Sequence, residues 1–302
     1  MSTATDSNDE LARSNDKPAQ PNDKPARLND KPAGSRRELE RAIVGASLAA
    51  GTANVIMQLA LPGVGYGVVE STVESGQLFR HPKKRTRTTL TYLAVASMGT
   101  DAERTAYRKA VNTSHAQVRS GEHSPVRYNA FDPKLQLWVA ACLYRGVEDT
   151  YRAFIGPLDP ETTERLYQES AKLGTTLQVP ADMWPANRAE FERYWQSALD
   201  EVHIDDTVRA YLIDVMKLRF MPRHRQLAFG RLSTFLTTGF LPQRFREEMR
   251  LPWRERDQRL FDAFTTVVRV IVRLLPTPLR QYPYNAYLND LRKRIKQGRR
   301  LV

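Results

Sequence analysis

The sequence is short of the residues from which many catalytic sites are built. Its single cysteine, Cys142, excludes an intrachain disulfide and a cysteine-based zinc site. Its chemistry therefore needs no oxidising compartment, and a reducing cytoplasm is the simpler expectation. Histidines number five (His81, His115, His123, His203 and His224), so acid–base chemistry would have to rest on carboxylates or on a cofactor. Glycine-rich nucleotide fingerprints, a phosphate loop, a Gly-x-Ser-x-Gly elbow and His-Glu-x-x-His are all missing. So are alternating β-branched runs joined by Asn-Gly or Asp-Gly turns, and a sheet is not expected.

Acidic residues are outnumbered, 34 against 46 Lys and Arg, which gives a formal net charge of +12. That excess suits anionic lipid, nucleic acid or the propionates of a cofactor without choosing among them. The basic residues are spread along the chain with no nucleic-acid-binding motif beside them, so no nucleic-acid partner is expected. Apolar runs are scarce too. Residues 1–36 contain no apolar core of a secretory signal. Ala42 to Leu61 is uncharged and long enough to span a bilayer, but it carries Ser47, Thr52, Asn54 and Gln58 among Ala and Gly. Its insertion energy would be weak, and a buried core helix is expected instead. A mean hydropathy of −0.53 agrees.

What is present is helical spacing. Asn-Asp-Lys-Pro-Ala recurs at Asn15–Ala19, Asn22–Ala26 and Asn29–Ala33, and residues 1–36 are read as a disordered, solvated tail. Residues 37–302 are read as one all-α domain, with helices over about 38–60, 65–78, 85–98, 101–119, 133–154, 160–175, 187–200, 205–218, 224–237, 242–249, 255–275 and 284–297. Asp132-Pro133 and Asp159-Pro160 each place a capping residue before a proline at the first helical position.

Within these helices, Val111, His115 and Val118 are spaced i, i+4, i+7 and share a face. An imidazole pointed at valines is a core histidine bonded to a carbonyl or, alternatively, a neutral ligand for a haem iron. Arg85 and Thr89 are one turn apart and can hold an anion or bound oxygen; the alternative is a solvated basic cluster running from His81 to Arg87. Asp132 is expected to cap and Trp138 to pack. Arg269 and Arg273, four apart in the apolar stretch Phe264 to Leu279, fit a basic amphipathic helix on lipid or a core helix whose arginines find partners.

Taken together the segments resemble a known family. His115-Ala116-Gln117-Val118-Arg119 is similar to the His-Ala-x-x-Arg signature of rubber oxygenases, the latex-clearing proteins. Tyr128-x-Ala130-x-Asp132-Pro133 followed by Trp138-Val139 resembles the related MpaB-type oxygenases. Gln58-x-x-x-Pro62, Gly67-Val68-x-Glu70-Ser71 and Met183-Trp184-Pro185 fall in matching order, as do Leu251-Pro252-Trp253 and Leu275-Pro276 with Leu279-Arg280. The resemblance runs from about Arg37 to the C-terminus.

It implies an all-α fold around haem b, with His115 as the iron ligand and His115, Arg119 and Tyr128 as cofactor-binding residues. Arg85 and Thr89 would lie on the oxygen-binding side, and Glu70, or Glu74 in a shifted register, would move a proton. It also implies O2 and an apolar, isoprenoid- or lipid-like molecule as substrates. Where the rubber enzymes can offer a lysine to the iron, this chain has Thr88, so an open or water-bound distal position is expected. Two other readings stay open: a haem carrier or sensor that needs His115 alone, and a basic peripheral membrane protein without cofactor. Composition leaves the oligomeric state undetermined.

Overall fold

Helix starts are written into the chain by its caps. Asp132 accepts a hydrogen bond from the Lys134 amide at 2.8 Å ahead of Pro133, and Asp159 accepts one from Thr162 at 2.8 Å ahead of Pro160. Thr100 and Glu103 complete a reciprocal capping box. The structure, a computed structural model, describes residues 38–74 and 76–302. By internal contacts Arg36–Val302 forms one unit, and the repeat tail expected over residues 1–36 lies outside the described residues.

The helices run in the order α1 (Glu38–Ala42), α2 (Gly51–Leu59), α3 (Pro62–Val69), α4 (Pro82–Met98), α5 (Asp101–His115) and α6 (Pro133–Phe154). They continue with α7 (Pro160–Ser170), α8 (Lys172–Thr175), α9 (Arg188–Leu199), α10 (Asp206–Met216) and α11 (Arg223–Phe240). The last four are α12 (Gln243–Glu248), α13 (Glu255–Leu274), α14 (Thr277–Arg280) and α15 (Tyr284–Lys296). Short 3-10 turns occupy Gly45–Ala50 and Ala181–Met183. Among the described residues there is no strand; an isolated antiparallel bridge joins Arg119 to Asn129. The expected all-α class holds.

Three expectations need correction. Ala42 to Leu61 is not one helix: a 3-10 turn precedes α2, because the chain passes so close to the 282 carbonyl that a Cβ on Gly45 would lie 2.0 Å from it. No single described helix is long and apolar enough to cross a membrane. The helix expected over 65–78 stops at Val69, where β-branched valines are followed by Ser71 and Thr72, which favour turns over helix. The helix carrying His115 ends on that residue, so Val118 belongs to the following loop rather than to the helical face.

α6 is the central post, in contact with α1, α2, α3, α7, α8 and α13. Trp138 packs as expected: it stacks on Trp195 with centroids 5.1 Å apart and donates from Nε1 to the Gln58 carbonyl at 3.1 Å. Nearly two turns beyond, Tyr144 meets Tyr167, Trp184 and Phe191 edge-to-face, while Tyr167 stacks on Trp184. Glu148, almost fully buried, is held by Arg152 at 2.7 Å and Arg188 at 3.1 Å, so its charge is compensated where water is excluded. At its C-terminal end α6 is capped by α13: Arg269 donates to the carbonyls of Ala153 (3.0 Å) and Arg152 (3.1 Å), and Arg273 to that of Ile155 (3.1 Å). These two arginines are therefore engaged by the protein's own backbone carbonyls.

Candidate functional site around His115

α5 ends by placing His115 at its last turn, and the next residues fold straight back. Val118 donates to the His115 carbonyl at 2.9 Å; then Ser120 donates to Tyr128 and Ala130 to Val118, each at 2.9 Å. That return brings Tyr128 and Phe131 against the end of α5, and the Phe131 ring stands edge-on to the imidazole at 6.4 Å. The imidazole is deep, and its Nδ1 is buried without a hydrogen-bond partner. Burial, then the neighbouring Arg85 charge, push its pKa below the ordinary 6.5, while the nearby Gln178 amide pulls the other way. The ring is therefore neutral at neutral pH, with a lone pair free.

Arg85 comes from the first turns of α4. Its guanidinium sits deep in the protein, with burial lowering its pKa and the Tyr211 and Tyr107 hydroxyls as its nearest electrostatic neighbours. Among the described residues it forms no ion pair and no hydrogen bond. A desolvated cation without an anion is costly, so such a residue points to a partner that is not a protein carboxylate. Arg85 and His115 are each partly exposed. Thr89 lies one turn further along α4 and is half-buried. The basic cluster from His81 to Arg87 is thus divided: Arg85 turns inward, whereas Lys83, Lys84 and Arg87 line an outer cleft of about 470 Å³ together with Arg294 and Arg300. A second cleft, of about 620 Å³, lies between Pro160 and Glu192, also away from His115.

Glu70 caps the end of α3 and is exposed; its carboxylate accepts from the Tyr128 hydroxyl at 2.8 Å. Burial and this carboxylate push the tyrosine pKa up to about 12, so Tyr128 stays protonated and donating. Beside them Tyr66 donates to Asp205 at 2.5 Å. Glu74, the alternative in a shifted register, pairs instead with Lys84 at 2.7 Å in the open. Arg119 is exposed, and its backbone pairs with Asn129 in an isolated antiparallel bridge.

The expected residues thus fall into two neighbouring groups. Arg85 and His115 are brought together, with Thr89 on the same helix as Arg85; Glu70 and Tyr128 form a pair, linked to His115 through the returning loop. Sequence reasoning missed a polar support behind the histidine. Gln178 donates its amide to the Asn112 side chain and accepts from Gln136, while its backbone N–H donates to Gln136 at 2.9 Å. The available signal was Gln136, a polar residue buried in the apolar helix two positions before Trp138.

Residues 41–270 match the family model described as ER-bound oxygenase mpaB/B'/Rubber oxygenase, catalytic domain. The chain belongs to this family. Within the MpaB and rubber-oxygenase family it is similar to an uncharacterized protein of Mycobacterium tuberculosis, 51% identical over 250 residues, covering 83% of this chain and 98% of the relative. An uncharacterized protein of Mycobacterium bovis is similar to the same extent. No solved structure matches. Membership of an oxygenase family makes the chain an oxygenase in general class, and the catalytic-domain match spans α2 through most of α13, including both residue groups described above.

Proposed function

We propose that this protein is a haem b-dependent oxygenase acting on an apolar, isoprenoid- or lipid-like substrate with O2. The observation that carries the reading is the pair formed by His115 and Arg85, a neutral imidazole with an unpartnered buried nitrogen beside a deep guanidinium that has no carboxylate. No three His, Cys, Asp or Glu side chains cluster as metal ligands among the described residues. A bare ion would lack its ligand set there, whereas an iron already held by a porphyrin needs one protein ligand, and a neutral histidine suits it. The residues present therefore fit the group.

Bound haem would supply an iron that activates dioxygen. His115 would hold it, oriented by the Phe131 edge and by the Asn112–Gln178–Gln136 support. Arg85 offers N–H donors and a positive charge to an anionic oxygen in a dry setting, where such donors act most strongly, and Thr89 adds a hydroxyl. Tyr128 and Glu70 form a donor–acceptor pair with one end buried and the other in water, suited to passing a proton between solvent and interior. Arg119 is kept as a cofactor contact only if its side chain turns in from solvent when the group binds. A haem carrier would need His115 and would leave the unpaired Arg85 without a role, so oxygenase chemistry is the better reading. The single thiol, Cys142, is fully buried with its pKa raised by burial, and we place the protein in the reducing cytoplasm.

Absorption spectra test this. Protein reconstituted with haem should show a Soret band that His115→Ala abolishes. Arg85→Leu should keep the band while losing most oxygen uptake with a lipid extract. Full haem content in the His115→Ala protein would refute the ligand assignment.

A further inference from the structure

α13 is apolar on two sides. Its inward side, with Phe261, Thr265 and Val272 buried, packs against α6 and α11. Its outward side carries Leu260, Val267, Val270, Ile271 and Leu274, which are 52 to 80% exposed. Helical spacing sets these five along one stripe opposite the buried one. Scattered apolar residues on a surface need no explanation, but a continuous stripe over four turns does. The chain continues the feature past the helix, since Leu279 and Tyr282 are both more than 60% exposed. In the neighbouring helix α11, Leu227 is 75% exposed, and Phe229 and Leu232 are exposed as well.

Charge distinguishes among occupants. By helical spacing Arg256 and Arg259 border the outward stripe of α13, whereas its carboxylates lie to the flanks: Glu255 and Asp262, both exposed, and Asp257, which faces Arg256 at 3.6 Å. Exposed Arg223, Arg225 and Arg231 accompany the apolar residues of α11, a helix with no acidic residue at all. A second copy of the chain would set these guanidinium groups against like charge or aliphatic side chains. The first 36 residues, rich in Asn, Asp, Lys and Pro, lack the apolar surface to cover the stripe. An anionic bilayer answers both features: acyl chains take the apolar side chains and headgroups take the arginines.

We propose that the outward stripe of α13 is a peripheral docking face for an anionic lipid bilayer, to which the exposed arginines of the acid-free helix α11 add electrostatic attraction. It is distinct in sequence and structure from the His115 site, and it gives an oxygenase of apolar molecules direct contact with the phase that dissolves them. Docking is shallow and reversible, because the stripe is a helix side rather than a spanning segment. Arg269 and Arg273 take no part, being engaged on the carbonyls at the end of α6.

Co-sedimentation of the full chain with phosphatidylcholine vesicles, with and without roughly a third phosphatidylglycerol, tests the face. Binding should appear with the anionic vesicles and weaken as salt rises to about 0.5 M. Val267→Asp with Ile271→Asp should weaken it about tenfold or more, with the melting temperature unchanged because both side chains point to solvent. Reversing Arg223, Arg225 and Arg231 to glutamate should remove the preference for the anionic lipid. His115→Ala should bind like the wild type, so failure here and failure of the haem reading are separate results. Equal binding to both vesicle types, no binding at low salt, or a dimer in light scattering that the Val267/Ile271 variant dissociates would each overturn the assignment.

Discussion

His115 is the residue on which the proposed chemistry rests, through a lone pair, and it sets a stability term through its proton. Its folded pKa lies below 6.5, chiefly because burial disfavours the charged ring. Below pH 6.5 the unfolded chain binds a proton on this imidazole that the folded protein refuses, so unfolding gains ground as the pH falls. The loss starts near 6.5 and is complete once the pH passes the lowered folded value. In haem-free protein His115→Leu should flatten that part of the acid limb, read as urea midpoints at about pH 7 and about pH 5. Identical pH slopes for the two proteins would show that the ring is not desolvated. At this scale the sequence was legible where local spacing decides. Arg85 and Thr89 share a helix, and His115 stands out among five histidines. Tyr211 and Gln178 were not legible, because each reaches the site from a distant part of the chain and nothing in its own neighbourhood announces that. Arg119, a signature residue by order, is exposed where the returning loop bridges to Asn129.

At the level of elements, boundaries followed the caps. α6 begins after Asp132 and ends before Gly156-Pro157, as its punctuation implies. Where punctuation was weak, tertiary contact decided. The approach of the chain to the 282 carbonyl turned a uniform Ala- and Gly-rich run into a 3-10 turn and a short helix, and no local propensity encodes that contact. The same closeness governs α11 against α13. A Cβ at Gly239 would stand 2.3 Å from the Phe261 ring, which is itself packed edge-on against Phe240. Gly239→Ala should therefore push the two helices apart and cost about 1–3 kcal/mol, seen as a lower denaturant midpoint with helical content retained. Gly121→Ala, whose Cβ would meet nothing within 4 Å, is the control. A wild-type midpoint for Gly239→Ala would mean that the helices yield more easily than their packing implies.

For the molecule as a whole, the all-helical class was readable from the 3.6-residue rhythm and the absence of strand patterns, and the family from the order of its segments. The two-sided character of α13 was not readable, since an apolar position looks the same in sequence whether it faces the core or water. This feature determines how the protein divides between membranes and the cleared fraction when cells are broken. A residue-by-residue replacement of α13 with aspartate, scored by yield in the cleared lysate, should produce two interleaved periodic signals of opposite sign. Changes at Phe261 and Val272 should deplete the yield by unfolding the protein, whereas changes at Val267, Ile271 and Leu274 should raise it by releasing the protein from the pelleted membranes. A helix whose replacement pattern inverts every half-turn has been shaped by two different solvents.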